Sequence, residues 1–182
     1  NHEVMMRGTF DNAHIQNEMT PKTKGGWTTH GPSKVPVTIY EAHKLYAAEK
    51  RPLVVIAGKE YGTGSSRDWA AKGPYLLGVK AILAESFERI HRSNLIGMGI
   101  LPLEFLAGEN RNSFKLDGSE SVEILTPHHD IDVKKLIDIE FTKPNGEVFS
   151  AKLLCRLDTN SELSWYQSGG VMSHILEKLT TA

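Results

Sequence analysis

Thiols, excess charge of either sign and long apolar runs are what this chain has least of. Cys155 is the one cysteine in 182 residues. That excludes a disulfide framework within the chain, and any metal centre drawing several thiolates from this chain alone. Lys and Arg together number 21 and Asp and Glu 22, a net charge of −1. A protein that coats nucleic acid needs a broad basic footprint, so this balance leaves at most a local patch. No apolar run approaches the ~20 residues of a membrane span. The first residues, Asn1-His2-Glu3-Val4, carry neither an initiator Met nor the regions of a signal peptide. The chain therefore reads as a piece of something longer, with a cytoplasmic origin as the default. Against these absences stand 40% hydrophobic and 24% charged residues, the make-up of an ordinary globular chain. At this length one domain spanning residues 1–182 is expected.

The middle of the chain has the clearest pattern. Leu53-Val54-Val55-Ile56-Ala57 and Val79 to Ala84 are continuous apolar runs of strand length, as in strands buried on both faces. Ile100 to Phe105 reads as a third. Between them, helices are expected from about Ser65 to Leu77, interrupted at Gly73-Pro74, and from Phe87 to Leu95. Strand, helix, strand, helix, strand is a βαβαβ unit and predicts a parallel sheet. Before it, Tyr40 to Lys50 has helical spacing, and Trp27–His30 with Val35–Ile39 suggests a hairpin. After it, residues 122–125, 137–141 and 148–154 look like antiparallel strands, with Pro144-Asn145-Gly146 as a turn. A final helix carries Val171, Met172, Ile175, Leu176 and Leu179 on one face. Residues 1–20 have no clear period. The fold class expected is α/β, with a central βαβαβ unit and a β-rich edge.

The segment AGKEYGTGSSRDWAAKG, residues 57–73, lies where a strand ends and a helix is expected to begin. In open parallel sheets, ligands bind beyond the carboxyl ends of the strands. Gly62 and Gly64 let backbone approach a ligand. Ser65 and Ser66 offer hydroxyls, and Arg67 offers a planar fork for a carboxylate or phosphate. The known phosphate and nucleophile patterns fail here. Gly64 is followed directly by Ser65, so the P-loop lysine has no place. The third glycine of a dinucleotide turn is replaced by Arg67, and the closing glycine of a nucleophile elbow by Asp68. A purely structural reading stands beside the anion site: Ser65 and Asp68 have the spacing of a capping box, and Arg67 can pair with Asp68 or Glu60.

Residues 58–105, GKEYGTGSSRDWAAKGPYLLGVKAILAESFERIHRSNLIGMGILPLEF, closely resemble the C-terminal, swivelling β/β/α domain of the aconitase family. Arg7-Gly8-Thr9-Phe10 resembles the family's R-G-T-F segment, and Arg156-Leu157-Asp158-Thr159 with the Gly169-Gly170 helix resembles its tail. The resemblance implies an aconitate hydratase that interconverts citrate and isocitrate through cis-aconitate by removing and re-adding water. It implies Ser65 as the base that takes the carbon-bound proton. Ser66, Arg67 and Arg7 are implied as ligands of substrate oxygens. It also implies a [4Fe–4S] cluster acting as Lewis acid, held by three cysteines in other domains of the same enzyme. Cys155, in an apolar strand-like stretch, reads instead as a packed core thiol. No cofactor or metal ligand is therefore expected in this chain, which alone should not turn over citrate. The implied partners are a tricarboxylate and the cluster-bearing domains. The rival enzyme reading is a dehydratase of the 2-methylcitrate or isopropylmalate class. RNA binding, as in the family's iron-regulatory members, is a third reading that the net charge does not favour.

Other groups weigh toward structure. Arg89 and Arg92 are expected to pair with Glu85 and Glu88, and for His91, in the same helix, a structural role is favoured over one near the site. His128-His129-Asp130 reads as a solvated loop, since adjacent histidines chelate one ion poorly. Trp27 and Trp165-Tyr166 are expected to be core or domain-contact residues rather than base-stacking ones.

Overall fold

The computed structural model of the chain describes residues 1–180. Its elements run α1 (His2–Gly8), β1 (Trp27–His30), β2 (Val35–Thr38), α2 (Ile39–Ala48), β3 (Leu53–Ile56), α3 (Trp69–Leu76), β4 (Val79–Ala84) and α4 (Arg89–Gly97). They continue with β5 (Leu101–Phe105), β6 (Ser121–Ile124), β7 (Leu136–Thr142), β8 (Val148–Cys155), α5 (Asn160–Gln167) and α6 (Val171–Thr180). The expected βαβαβ unit is β3-α3-β4-α4-β5, with both strand pairs parallel. The β-rich edge joins the same sheet. Strand β8 pairs antiparallel with β5, giving one six-stranded sheet in the order β3-β4-β5-β8-β7-β6. The expected hairpin forms separately from β1 and β2.

Burial explains the two halves. On β3, Val54 and Ile56 pack on one face while Leu53, Val55 and Ala57 pack on the other. Strand β4 does likewise, with Ala81 and Leu83 opposed to Ile82 and Ala84. Helices α3 and α4 cover the second face through Ala71 and Leu95. Strands covered on both sides must be apolar throughout, hence the unbroken runs. On β7 only Ile137, Ile139 and Phe141 are buried, alternating with residues of the more open face. Such alternation marks an antiparallel sheet with one wet face.

Three helices differ from expectation: α5, which no period announces, α3 and α1. Helix α3 starts at Trp69, four residues later than Ser65, and runs unbroken through Gly73 and Pro74. The late start has a local cause: the Arg67 backbone N–H donates to Ser65 Oγ at 3.2 Å. This two-residue side-chain turn offers the backbone an alternative to the helix. The expected capping box is thus absent. Asp68 is the N-cap, and its side chain makes no capping hydrogen bond. Gly73 serves packing, because a Cβ there would lie 2.3 Å from the Thr9 hydroxyl oxygen at the end of α1. Helix α1 itself occupies residues that lack any hydrophobic period; only Met6 of it is buried.

Arg92 is also placed differently. It turns away from Glu85 and Glu88 and is held by Glu162 on α5, at 2.8 and 3.1 Å. The sequence separation of that pair hides it from local reading. Among the described residues, no helix is long and apolar enough to cross a membrane.

Candidate active site

Two loops leave the carboxyl ends of the adjacent parallel strands β3 and β4 and are zipped together. Glu85 N–H donates to Gly58 O at 3.0 Å, Tyr61 N–H to Ser86 O at 2.9 Å, and Glu88 N–H to Tyr61 O at 3.0 Å. Glu60 N–H reaches the Ser86 hydroxyl at 2.8 Å. The backbone of one loop thus satisfies that of the other, which fixes irregular chain without a regular ladder.

An open cleft of about 560 Å³ lies at this edge, lined by Thr63, Gly64, Ser65, Ser66, Arg67 and Glu88. Three of the four residues marked in the sequence, Ser65, Ser66 and Arg67, therefore share one cleft. Ser65 is half-buried, while Ser66 and Arg67 are exposed. Among the described residues, the Arg67 guanidinium has no hydrogen bond or ion pair; the expected pairs with Asp68 and Glu60 do not form. The backbone N–H groups of Gly64, Ser66 and Asp68 likewise have no acceptor among the described residues. A free guanidinium beside unpaired N–H groups before a helix suits an anion.

Glu88 and Thr63 are lining residues that no motif announces. Glu88 arrives from the other loop, and its carboxylate caps α4, accepting the His91 N–H at 2.8 Å. The His91 and Ile90 backbone N–H groups hold its pKa below the usual carboxylate value. It is thus an anion at the rim, committed to the helix. Beneath the turn lies His91, buried, with both ring nitrogens unpartnered among the described residues. Burial pulls its pKa down, opposed in part by the Glu88 charge. Tyr61 packs edge-on against it at 5.2 Å, and burial raises the phenol's pKa.

The fourth marked residue, Arg7, stands apart. It lines a separate hollow of about 250 Å³ with Asp11, Gly26, Trp27, Thr38 and Tyr40. Its guanidinium lies 4.2 Å from the centre of the Tyr40 ring, a cation–π contact. The end of α1 nevertheless touches α3 through Thr9 and Gly73, linking the segment that bears Arg7 to the helix that follows the cleft. Trp27 is exposed at this hollow rather than part of the core, whereas Tyr166 packs against the main core. His128, His129 and Asp130 form an exposed 3-10 turn.

A family model described as "Aconitase C-terminal domain" matches residues 1–108. The chain belongs to the aconitase C-terminal domain family. Its curated relatives named Aconitate hydratase A include that of Legionella pneumophila, 52% identical over all of this chain and 20% of that protein. That of Thermus thermophilus is 53% identical over 97% of this chain and 19% of its own length. The Escherichia coli relative is 50% identical over 98% and 20%. The chain thus spans about a fifth of the length of the curated relatives it matches. A solved 3-isopropylmalate dehydratase from Methanocaldococcus jannaschii superposes at a TM-score of 0.48, with 21% identity over 78% of this chain and 75% of that one.

The cluster implied by the family resemblance does not fit the residues of this chain. Cys155 is buried at the end of β8. Burial pushes its thiol pKa up to about 11, so it is neither the exposed thiolate nor one of the several thiolates that a cluster needs. No group of three or more His, Cys, Asp or Glu side chains suited to a metal occurs among the described residues.

Proposed function

We propose that this chain is the substrate-gripping domain of a longer aconitate hydratase and supplies its proton-abstracting serine. The observation that carries the reading is the Arg67 guanidinium, without a partner among the described residues, in one cleft with Ser65 and Ser66. In this reading Arg67 holds a substrate carboxylate by two parallel N–H···O bonds. Ser66 donates its hydroxyl to another substrate oxygen. Arg7, which lines a separate hollow, takes a further carboxylate. Ser65 acts as the base. A serine serves as base only where its alkoxide is stabilised, and the Arg67 N–H already directed at Ser65 Oγ contributes that stabilisation. The alkoxide takes the carbon-bound proton of the tricarboxylate. The C–H electron pair becomes the new double bond as the hydroxyl leaves with its bonding pair as hydroxide; the proton now on Ser65 completes the water lost and restores the alkoxide, and the reverse sequence returns water.

The iron–sulfur cluster and its ligands belong, in this reading, to the remaining four-fifths of the enzyme. The isolated chain is accordingly inactive toward citrate.

The test is the isocitrate-to-cis-aconitate absorbance assay on the complete, cluster-loaded protein. Arg67→Lys replaces a bidentate fork by a point charge and should lower kcat/KM at least tenfold. Ser65→Ala should act mainly on kcat. Normal kinetics for Arg67→Lys would remove the grip, and an unchanged kcat for Ser65→Ala would remove the base. Activity of the complete protein on 2-methylcitrate or isopropylmalate alone would move it to the rival dehydratase class.

A further inference from the structure

We propose that Asn94 is a positioning residue that activates Ser65 through a single peptide unit. The inference rests on the reading of Ser65 as the base. Asn94 lies on α4, one turn beyond His91, so the two are neighbours on the helix that packs against the turn. Its Nδ2 donates to Ser66 O at 3.2 Å. The N–H on the other side of that peptide bond belongs to Arg67, and it donates to Ser65 Oγ at 3.2 Å. One planar amide is therefore held at both ends, by Asn94 at its oxygen and by the serine at its hydrogen.

Two consequences follow from amide chemistry. The peptide is planar and stiff, so fixing its carbonyl also fixes the direction of its N–H. A donor at the carbonyl oxygen polarises the amide and strengthens the N–H as a donor to the next group. Both favour negative charge on Ser65 Oγ. The remaining bonds of the segment are local. Ser65 N–H donates to Gly62 O and Ala70 N–H to Arg67 O. Among the described residues, Asn94 makes the only hydrogen bond to residues 65–67 from outside the contiguous segment 62–70. Without it only bonds within the segment itself hold the amide, and the direction of its N–H is less firmly set.

Asn94→Ala and Asn94→Asp in the complete, cluster-loaded protein provide the test, because alanine removes the donor and an ionised aspartate replaces it with an acceptor of the same size. Both should lower kcat for isocitrate dehydration by tenfold or more, with KM changed less than threefold. On a Ser65→Ala background, Asn94→Ala should lower the residual rate less than twofold, since the group through which it acts is gone. A purely structural role predicts equal losses on both backgrounds and a matching fall in melting temperature. An unchanged kcat in both Asn94 variants, or full additivity with Ser65→Ala, overturns the proposal. If Ser65→Ala retains wild-type kcat, the serine base itself is refuted. If Ser65→Ala is impaired while the Asn94 variants are normal, only the positioning role fails.

Discussion

The imidazole of His91 occupies the space that a side chain on Gly62 would fill. A Cβ built on Gly62 lies 2.2 Å from the His91 ring atoms. Gly62 also has φ +99°, a conformation that residues with a Cβ rarely adopt. These two constraints, one of contact and one of backbone, lock the glycine turn onto α4. Gly62→Ala should therefore destabilise the protein by about 3 kcal/mol, adding backbone strain of ~1–2 kcal/mol to overpacking of ~1–3 kcal/mol. Equilibrium urea unfolding measures it. The double variant Gly62→Ala/His91→Gly, which also removes the His91 Cβ lying 2.4 Å from the added atom, should recover the contact part and leave the backbone part. Loss of the same size in single and double variants would show that the ring is not what excludes the side chain.

The same histidine gives the domain an acid-sensitive contribution. Its folded pKa lies below the ordinary 6.5, because burial disfavours the imidazolium more than the Glu88 carboxylate favours it. The groups facing it are Glu88, which caps its helix, and the uncharged Tyr61 ring. Arg89 and Arg92 flank it on the same helix. Below pH 6.5 the unfolded chain takes a proton on His91 that the folded one refuses, so the unfolded state binds more protons there. The contribution of His91 is fully present above pH 6.5 and is lost as pH falls through the lower folded value. His91→Phe, which cannot titrate, should show a shallower fall in unfolding free energy between pH 7.5 and 5. Parallel slopes for wild type and variant would assign the acid sensitivity elsewhere.

How far the sequence discloses this architecture depends on what each element buries. Strands β3 and β4 are legible because both faces are covered, which demands unbroken apolar runs. Strand β7 is legible through its alternation. Helix α1 buries little beyond Met6, and α5 buries a charge, Glu162, in place of an apolar stripe, so neither has a readable period. The start of α3 is hidden by a hydroxyl–amide bond that no periodicity encodes. The cleft follows the same rule. Ser65, Ser66 and Arg67 are adjacent in the chain and stand out together after two glycines. Glu88 and Asn94 come from the next crossover and join them only when the loops after β3 and β4 zip together. Arg7, marked by its family segment, lines a different hollow, because α1 packs at the Gly73 level of α3 and not over the serine turn.

The buried ion pair of Arg92 and Glu162 is what ties α4, and hence the floor of the cleft, to the C-terminal part of the chain. Arg92 also donates to Arg156 O at 2.6 Å, and Glu162 accepts the Asp158 N–H at 2.7 Å. Asp158 in turn stands 3.5 Å from the Arg92 guanidinium. Each charge is therefore met by its opposite and by backbone, which is the condition under which a buried pair is tolerated. Removing one member strands the other. Glu162→Ala should cost about 3–5 kcal/mol of unfolding free energy, a large share of a typical domain's stability. Replacing both by apolar residues of similar volume, Arg92→Met with Glu162→Leu, should restore most of it, because no buried charge is left unpaired. Asp158 sets a limit on that recovery: it loses its cation on α4 but keeps Arg156 at 3.4 Å. Chemical denaturation of the four proteins in a double-mutant cycle reads the coupling directly. Equal, additive losses would mean that the two side chains contribute by packing alone. A strongly coupled cycle, with the double variant near wild type, would make the pair the joint between the crossover that lines the cleft and the α5 segment.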